Sequence, residues 1–216
     1  AGPPPDEPAT LRLSFAETPD TIVVSPALAD RQVVVRPETT LVVPPGERVT
    51  LYASTPVWMA LKLEVRRPRR GRAAPGPVVL AELPTARPTD TWFGPSKLEG
   101  ELCYAVRTAA RMDAADLPLR PHRAVTPVTI ENQAATPMEV ARIVVPMPFL
   151  ALHVDRDGRL WTDGVLLTRE PDQDLTTKAT PSTPAEGERL AAPRSTTSLG
   201  QTLSRTVSRL FKVDAR

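Results

Sequence analysis

Residues 40–66 read TLVVPPGERVTLYASTPVWMALKLEVR, and the fold class is decided here. Short runs rich in Val, Leu, Thr and Tyr, punctuated by proline and glycine, are the pattern of strands bounded by turns. Pro45-Gly46 supplies a tight turn, so the spacing predicts a hairpin joining 41–43 to 49–52. From Ala60 to Val65 apolar residues alternate with Lys62 and Glu64, which predicts a strand with one face in water.

The same rhythm extends in both directions. LRLSF (11–15), TIVVS (21–25) and RQVVVR (31–36) precede the stretch, and PVVLAEL (77–83) follows it. GELCYAVR (100–107) is read as a further strand, although the alanines of 100–115 also allow a short helix. Residues 125–146, VTPVTIENQAATPMEVARIVVP, predict a second hairpin, two β-branched runs joined at 132–137. Residues 149–170 predict a meander with Asp157-Gly158 and Asp163-Gly164 as turn residues suited to positive φ. Strands at such spacing point to an all-β, mostly antiparallel β-sandwich, immunoglobulin-like or related.

Proline marks what lies outside that domain. The 26 prolines, against 10 glycines, crowd into 2–8, 68–95 and 171–193, and proline is kept out of helix interiors and central strands. The expected organisation is a disordered tail over 1–10 and a sandwich over 11–170. A break near 67–77 would allow two packed β subdomains. A flexible Pro/Thr-rich linker over 171–197 and an amphipathic helix over 198–212 complete the chain. In that last segment Leu199, Leu203, Val207, Leu210 and Phe211 fall at helical spacing, with Gln201, Arg205, Arg209 and Lys212 elsewhere, and Ser198 with Gln201 fits a capping box. An apolar stripe flanked by cations suits an anionic membrane surface, a groove on a protein partner, or the chain's own domain.

Charge and cysteine content narrow the function. Lys+Arg of 27 against Asp+Glu of 25 leaves a net charge of +2, so a nucleic-acid-binding surface is not expected. The single cysteine, Cys103, rules out an internal disulfide, and with no leader-like opening segment the expected location is the cytoplasm. No apolar run approaches the ~20 residues that cross a bilayer.

Catalytic signatures are missing from the sequence. Phosphate-binding and dinucleotide-binding glycine patterns and paired Cys-x-x-Cys ligands do not occur, and no cofactor or metal is expected. Asp155, Asp157, Gly158 and Asp163 superficially suggest a calcium loop, but Arg159 and Leu166 stand where oxygen ligands belong. Cys103, His122 and His153 lack the local setting of a nucleophile and its base, and Cys103 reads as a small buried hydrophobe.

Three groups remain as candidate interaction residues. Trp92, Phe93 and Tyr104 gather in 89–107, where Gly94-Pro95 turns the chain. Arg66, Arg67, Arg69 and Arg70, with Lys62 and Arg72 beside them, form the densest basic run, read either as a solvated loop or as an anion contact. The apolar stripe 199–211 is the third. The leading expectation is a non-enzymatic interaction or adaptor module with an unidentified protein partner and peripheral membrane contact open to it. A small-ligand or carbohydrate platform of Trp92, Trp161 and Tyr104 with Glu99 or Glu101 is the alternative. A hydrolase using Asp90, Glu99 and Glu101 is third.

WFGPSKLEGELCYA (92–105), TPVTIENQAATPMEVARIVVP (126–146) and VPPGERVTLYASTPVWM (43–59) together resemble an uncharacterised prokaryotic domain-of-unknown-function family, number 432, over residues 11–170. The resemblance implies the domain boundary. It brings no activity, cofactor or catalytic residue, and it leaves the Pro-rich tail and terminal helix as additions.

Overall fold

Strand 123–132 organises the chain, because both of its edges and both of its faces are used. The computed structural model describes residues 12, 14–15, 18–65, 76–94, 96–172, 175–181 and 187–195. In chain order the strands are β1 (Thr21–Ala27), β2 (Val33–Pro37), β3 (Leu41–Val43), β4 (Arg48–Pro56), β5 (Trp58–Glu64), β6 (Val78–Pro84), β7 (Thr89–Phe93) and β8 (Glu101–Ala110). They continue as β9 (Arg123–Asn132), β10 (Met138–Val140), β11 (Ile143–Val145), β12 (Leu152–Val154), β13 (Leu160–Thr162), β14 (Gly164–Arg169), β15 (Leu175–Thr180) and β16 (Glu188–Ala191). Two single 3-10 turns, Ala114–Asp116 and Met147–Phe149, are the helical elements among the described residues. The protein is all-β, with mixed sheets. The expected tail over 1–10, most of LRLSF and the helix over 198–212 lie outside the described residues; of LRLSF, the described Arg12, Ser14 and Phe15 are in no strand.

β4 lies antiparallel along one edge of β9, from Arg48↔Glu131 to Pro56↔Arg123. β13 and β14 lie parallel to it along the other edge. Their registers differ by one residue, Trp161↔Val125 before and Val165↔Val128 after, so they are one strand interrupted by a bulge at 162–164. Opposite the bulge is Pro127. Tyr52, its partner on β4, gives both its N–H and its C=O to Arg111, so the Tyr52–Pro127 pair exchanges no ladder bonds. The N–H that proline lacks therefore faces the bulge, where the ladder is already broken.

The bulge re-aims Asp163. Its buried carboxylate accepts from the Ala151 N–H at 2.8 Å and from His153 Nε2 at 3.0 Å, and His153 is itself fully buried on β12. Asp163-Gly164 is thus an interruption within a strand and not the expected turn, and among the described glycines only Gly46 and Gly158 have positive φ. The turn at 155–159 does close a hairpin, β12 to β13. There Asp155 Oδ1 accepts from the Asp157 and Arg159 N–H groups, and its other oxygen accepts from the Trp161 indole. The acidic segment is a side-chain-closed turn.

Two expected hairpins are corrected. The Pro44–Glu47 turn forms, with Gly46 at φ +75° and Glu47 N–H reaching the Pro44 carbonyl, but β3 leaves it to pair with β10 while β4 pairs with β9. β9 and β10 are likewise not partners, because β9 has no free edge. The buried Asn132 amide donates to the carbonyls of Val43 and Thr136, and the buried Arg169 guanidinium to those of Thr136 and Pro137, so side chains supply what a hairpin ladder would have.

The linker expected over 171–197 is also corrected, since β15 pairs with β14 along its whole length and β16 pairs with β12. β15 reads LTTKAT, with Leu175 and Thr177 buried. Threonine is a good strand former, and here the burial is supplied by neighbouring β14. Four-stranded β11-β2-β8-β7 and three-stranded β1-β5-β6 complete the sheets, and β5 and β6 pair directly across the undescribed connection 66–75. The run 101–110 is a strand, not the helix its alanines allowed. One hydrophobic cluster joins Val33, Val35, Trp58, Phe93, Cys103, Val128, Ile130, Ile143 and Leu152.

Replacing Asp163 by Ala strands the Ala151 N–H and the buried imidazole together. We expect a loss of about 2–4 kcal/mol in urea unfolding, with the same strand content by circular dichroism. A loss under about 0.5 kcal/mol would show that water reaches the bulge.

Candidate interaction surface and neighbouring clefts

Cross-strand neighbours in a sheet share a face, and in β1-β5-β6 the shared faces are unusual. The rows Val24–Leu61–Ala81 and Pro26–Met59–Leu83 lie side by side with Ile22–Leu63 next to them. Every one of these positions is apolar, yet Ile22 is 67% and Val24 63% exposed, and Met59 and Leu83 are also open to solvent. The opposite face carries buried Trp58 and Ala60 together with Lys62 and Glu64. Lys62 and Glu64 share the side of the buried tryptophan, Leu61 and Leu63 lie on the other side, and all four are half-buried. A half-buried antiparallel sheet normally places its polar residues outward.

The aromatic bend divides into three different roles. Phe93 is buried in the core beneath the Arg142 guanidinium, which corrects its expected place on a docking surface. Trp92 is partly exposed beside its cross-strand neighbour Leu102; its indole N–H donates to the Ser96 carbonyl at 2.7 Å and its ring covers Gly100, where a Cβ would collide with it. Trp161 is held by Asp155 and Arg159 and does not converge with Trp92 or Tyr104.

Tyr104 lines a cleft of about 740 Å³ with Trp58, a residue sequence reasoning did not select. Their rings lie 5.6 Å apart and tilted. The acids around them are each partnered: the Tyr104 hydroxyl donates to Asp30, Arg31 reaches Asp90 at 3.3 Å and covers the Tyr104 ring, and Arg194 reaches Glu82 at 2.7 Å. Burial, with Asp30 next, raises the Tyr104 pKa. Exposed pairs of this kind contribute about 0–1 kcal/mol each, so their main effect is to set the shape of the cleft.

The acids considered for hydrolysis are dispersed. Asp90 faces Arg31, and Glu101, whose pKa burial raises, accepts from Gln32 at 2.5 Å. Asp90 lies across from Tyr104 while Glu101 lies across from Phe93. Burial, reinforced by Glu101, pushes the Cys103 thiol up to about 12, so it is protonated at neutral pH. Among the described residues no cluster of three or more metal-ligating side chains occurs, and no helix is long and apolar enough to cross a membrane. Arg66, Arg67, Arg69 and Arg70, and the stripe Leu199, Leu203, Val207, Leu210 and Phe211, lie outside the described residues.

A protein built of strands in mixed sheets is the class these features define. The chain belongs to the family described as Protein of unknown function (DUF432), which matches residues 5–211. The match runs past Glu170, so the tail read as a lineage-specific addition is covered by the family. No curated protein and no solved structure matches the chain.

In the folded protein Cys103 should react with a disulfide reagent at pH 8 about a hundredfold or more slowly than in denaturant, measured by thiolate release. Comparable rates would mean that the β7–β8 pair opens.

Proposed function

We propose that this chain is a non-enzymatic interaction module whose protein partner covers the outer face of β1-β5-β6. The observation that carries the reading is that this face is apolar at every paired position while Ile22, Val24, Met59 and Leu83 remain exposed. Contiguous exposed apolar surface marks association sites, and a three-stranded sheet face suits a second apolar layer about 10 Å away. A protein is favoured over lipid because a sheet lying in a bilayer would bring unpaired edge N–H and C=O groups into hydrocarbon. The partly exposed Trp92 and Leu102 add a smaller apolar patch on another sheet. A reducing location such as the cytoplasm fits a single buried thiol.

The stripe 199–211 is the competing occupant within the chain. The last described residues approach this same sheet: Arg194 donates to the Leu28 carbonyl and pairs with Glu82 on β6. Glu82 lies opposite Ala60, on the side of the sheet away from the outer face, and the stripe itself lies outside the described residues. A second reading, small-ligand binding, draws on the open cleft over Trp58 and Tyr104.

The test places a photo-crosslinking residue at Val24 or Leu83 in the full chain, with Asp113 as the exposed control, in native host cells. We expect an adduct with another polypeptide from the face positions alone. In the purified pair, Val24→Lys should then weaken binding about tenfold. Crosslinks confined to residues 198–211 of the same chain, or affinity unchanged by Val24→Lys, would overturn the reading.

A further inference from the structure

Five arginines from five separate segments meet along one groove of about 500 Å³: Arg36 on β2, Arg87 between β6 and β7, Arg107 on β8, Arg123 opening β9 and Arg142 between β10 and β11. Among the described residues no carboxylate lines the groove. None of the five forms an ion pair with an acid among the described residues, in contrast to Arg31, Arg48, Arg111 and Arg194, each of which does. Thr89 and Thr91 add hydroxyl donors on β7.

The centre of this array is built into the fold. Arg123 is buried, and its guanidinium donates through Nε to Ser54 Oγ at 3.0 Å and through Nη2 to the Ser54 carbonyl. Neutral acceptors position it but leave its charge uncompensated. Burial, with Arg120 adding to it, lowers its pKa. Arg142 stands over the Phe93 ring, which orients its planar fork. Cationic side chains that line one groove give it a positive potential that attracts an anion.

We propose that this groove binds a compact anion carrying two or more phosphoryl groups. Planar guanidinium forks match phosphate oxygens bidentately, and several cations converging on a small volume favour several linked phosphates over one. The volume is that of a small-molecule site. Among the described residues no aromatic side chain lines the groove to give bases a stacking platform, which favours a compact phosphate over single-stranded nucleic acid. The groove shares no residue with the outer face of β1-β5-β6, so the two readings stand or fall separately.

The experiment is calorimetric titration of the full chain with inorganic triphosphate, orthophosphate and a single-stranded oligonucleotide at low and physiological salt. We expect triphosphate to bind at least about tenfold tighter than orthophosphate, and to weaken as salt rises. The variant R36A/R107A, which removes two exposed side chains, should weaken triphosphate binding at least about tenfold, while R48A, opposite Glu131 at the far end of β9 from Arg123, stays within about twofold. Thermal unfolding of each variant without ligand checks that the fold is kept. The proposal is overturned by an absence of triphosphate binding, by binding that R36A/R107A leaves unchanged, or by an oligonucleotide that binds tighter and displaces triphosphate.

Discussion

The structure depends on β9 having no spare edge. A ten-residue strand gripped antiparallel on one side and parallel on the other satisfies its backbone completely and places Val128 and Ile130 at the centre of the core. The single flaw in its hydrogen-bonding capacity is Pro127, and it is met by a one-residue bulge in the neighbouring strand. That bulge turns a carboxylate inward, and the carboxylate in turn fixes the β12 imidazole. Because β9 is saturated, β3 and β10 pair with each other, and buried Asn132 and Arg169 hold the connections they leave behind.

Local chemistry was legible in the sequence and long-range pairing was not. The β-branched runs, the Pro45-Gly46 turn, the Asp157-Gly158 turn and the burial of Cys103 follow from residue type and spacing. The choice of partner does not: a turn such as 44–47 brings two runs close without making them neighbours, and occupancy of β9 decides where they go. In the same way the alternation at 60–65 shows two faces but not which one meets the core: Lys62 and Glu64 share the side of buried Trp58 and Ala60. β15 escaped notice because threonine and lysine lend no apolar signal of their own.

The candidate surfaces were hidden for a related reason. The basic run at 66–72 is conspicuous because its arginines are adjacent in sequence, whereas Arg36, Arg87, Arg107, Arg123 and Arg142 are scattered and converge only when five connections are folded. Trp58 was passed over beside the more conspicuous aromatic bend, although it is the ring that meets Tyr104. The two clefts share Arg87 and Thr89 yet differ in kind: the first also holds Asp30, Glu82 and Asp90, each hydrogen-bonded or paired, whereas the charged residues lining the second are arginines.

The order of pairing also governs how the chain is made. β1, β5 and β6 can assemble once residue 84 has been synthesised, but β2 waits for β8, β3 for β10 and β4 for β9. Until residue 132 emerges from the ribosome, the nine-residue ladder edge of β4 has no partner, so the nascent chain carries an unpaired strand through much of its synthesis. The saturation that makes β9 a stable centre in the finished protein makes its late arrival the step on which productive folding turns.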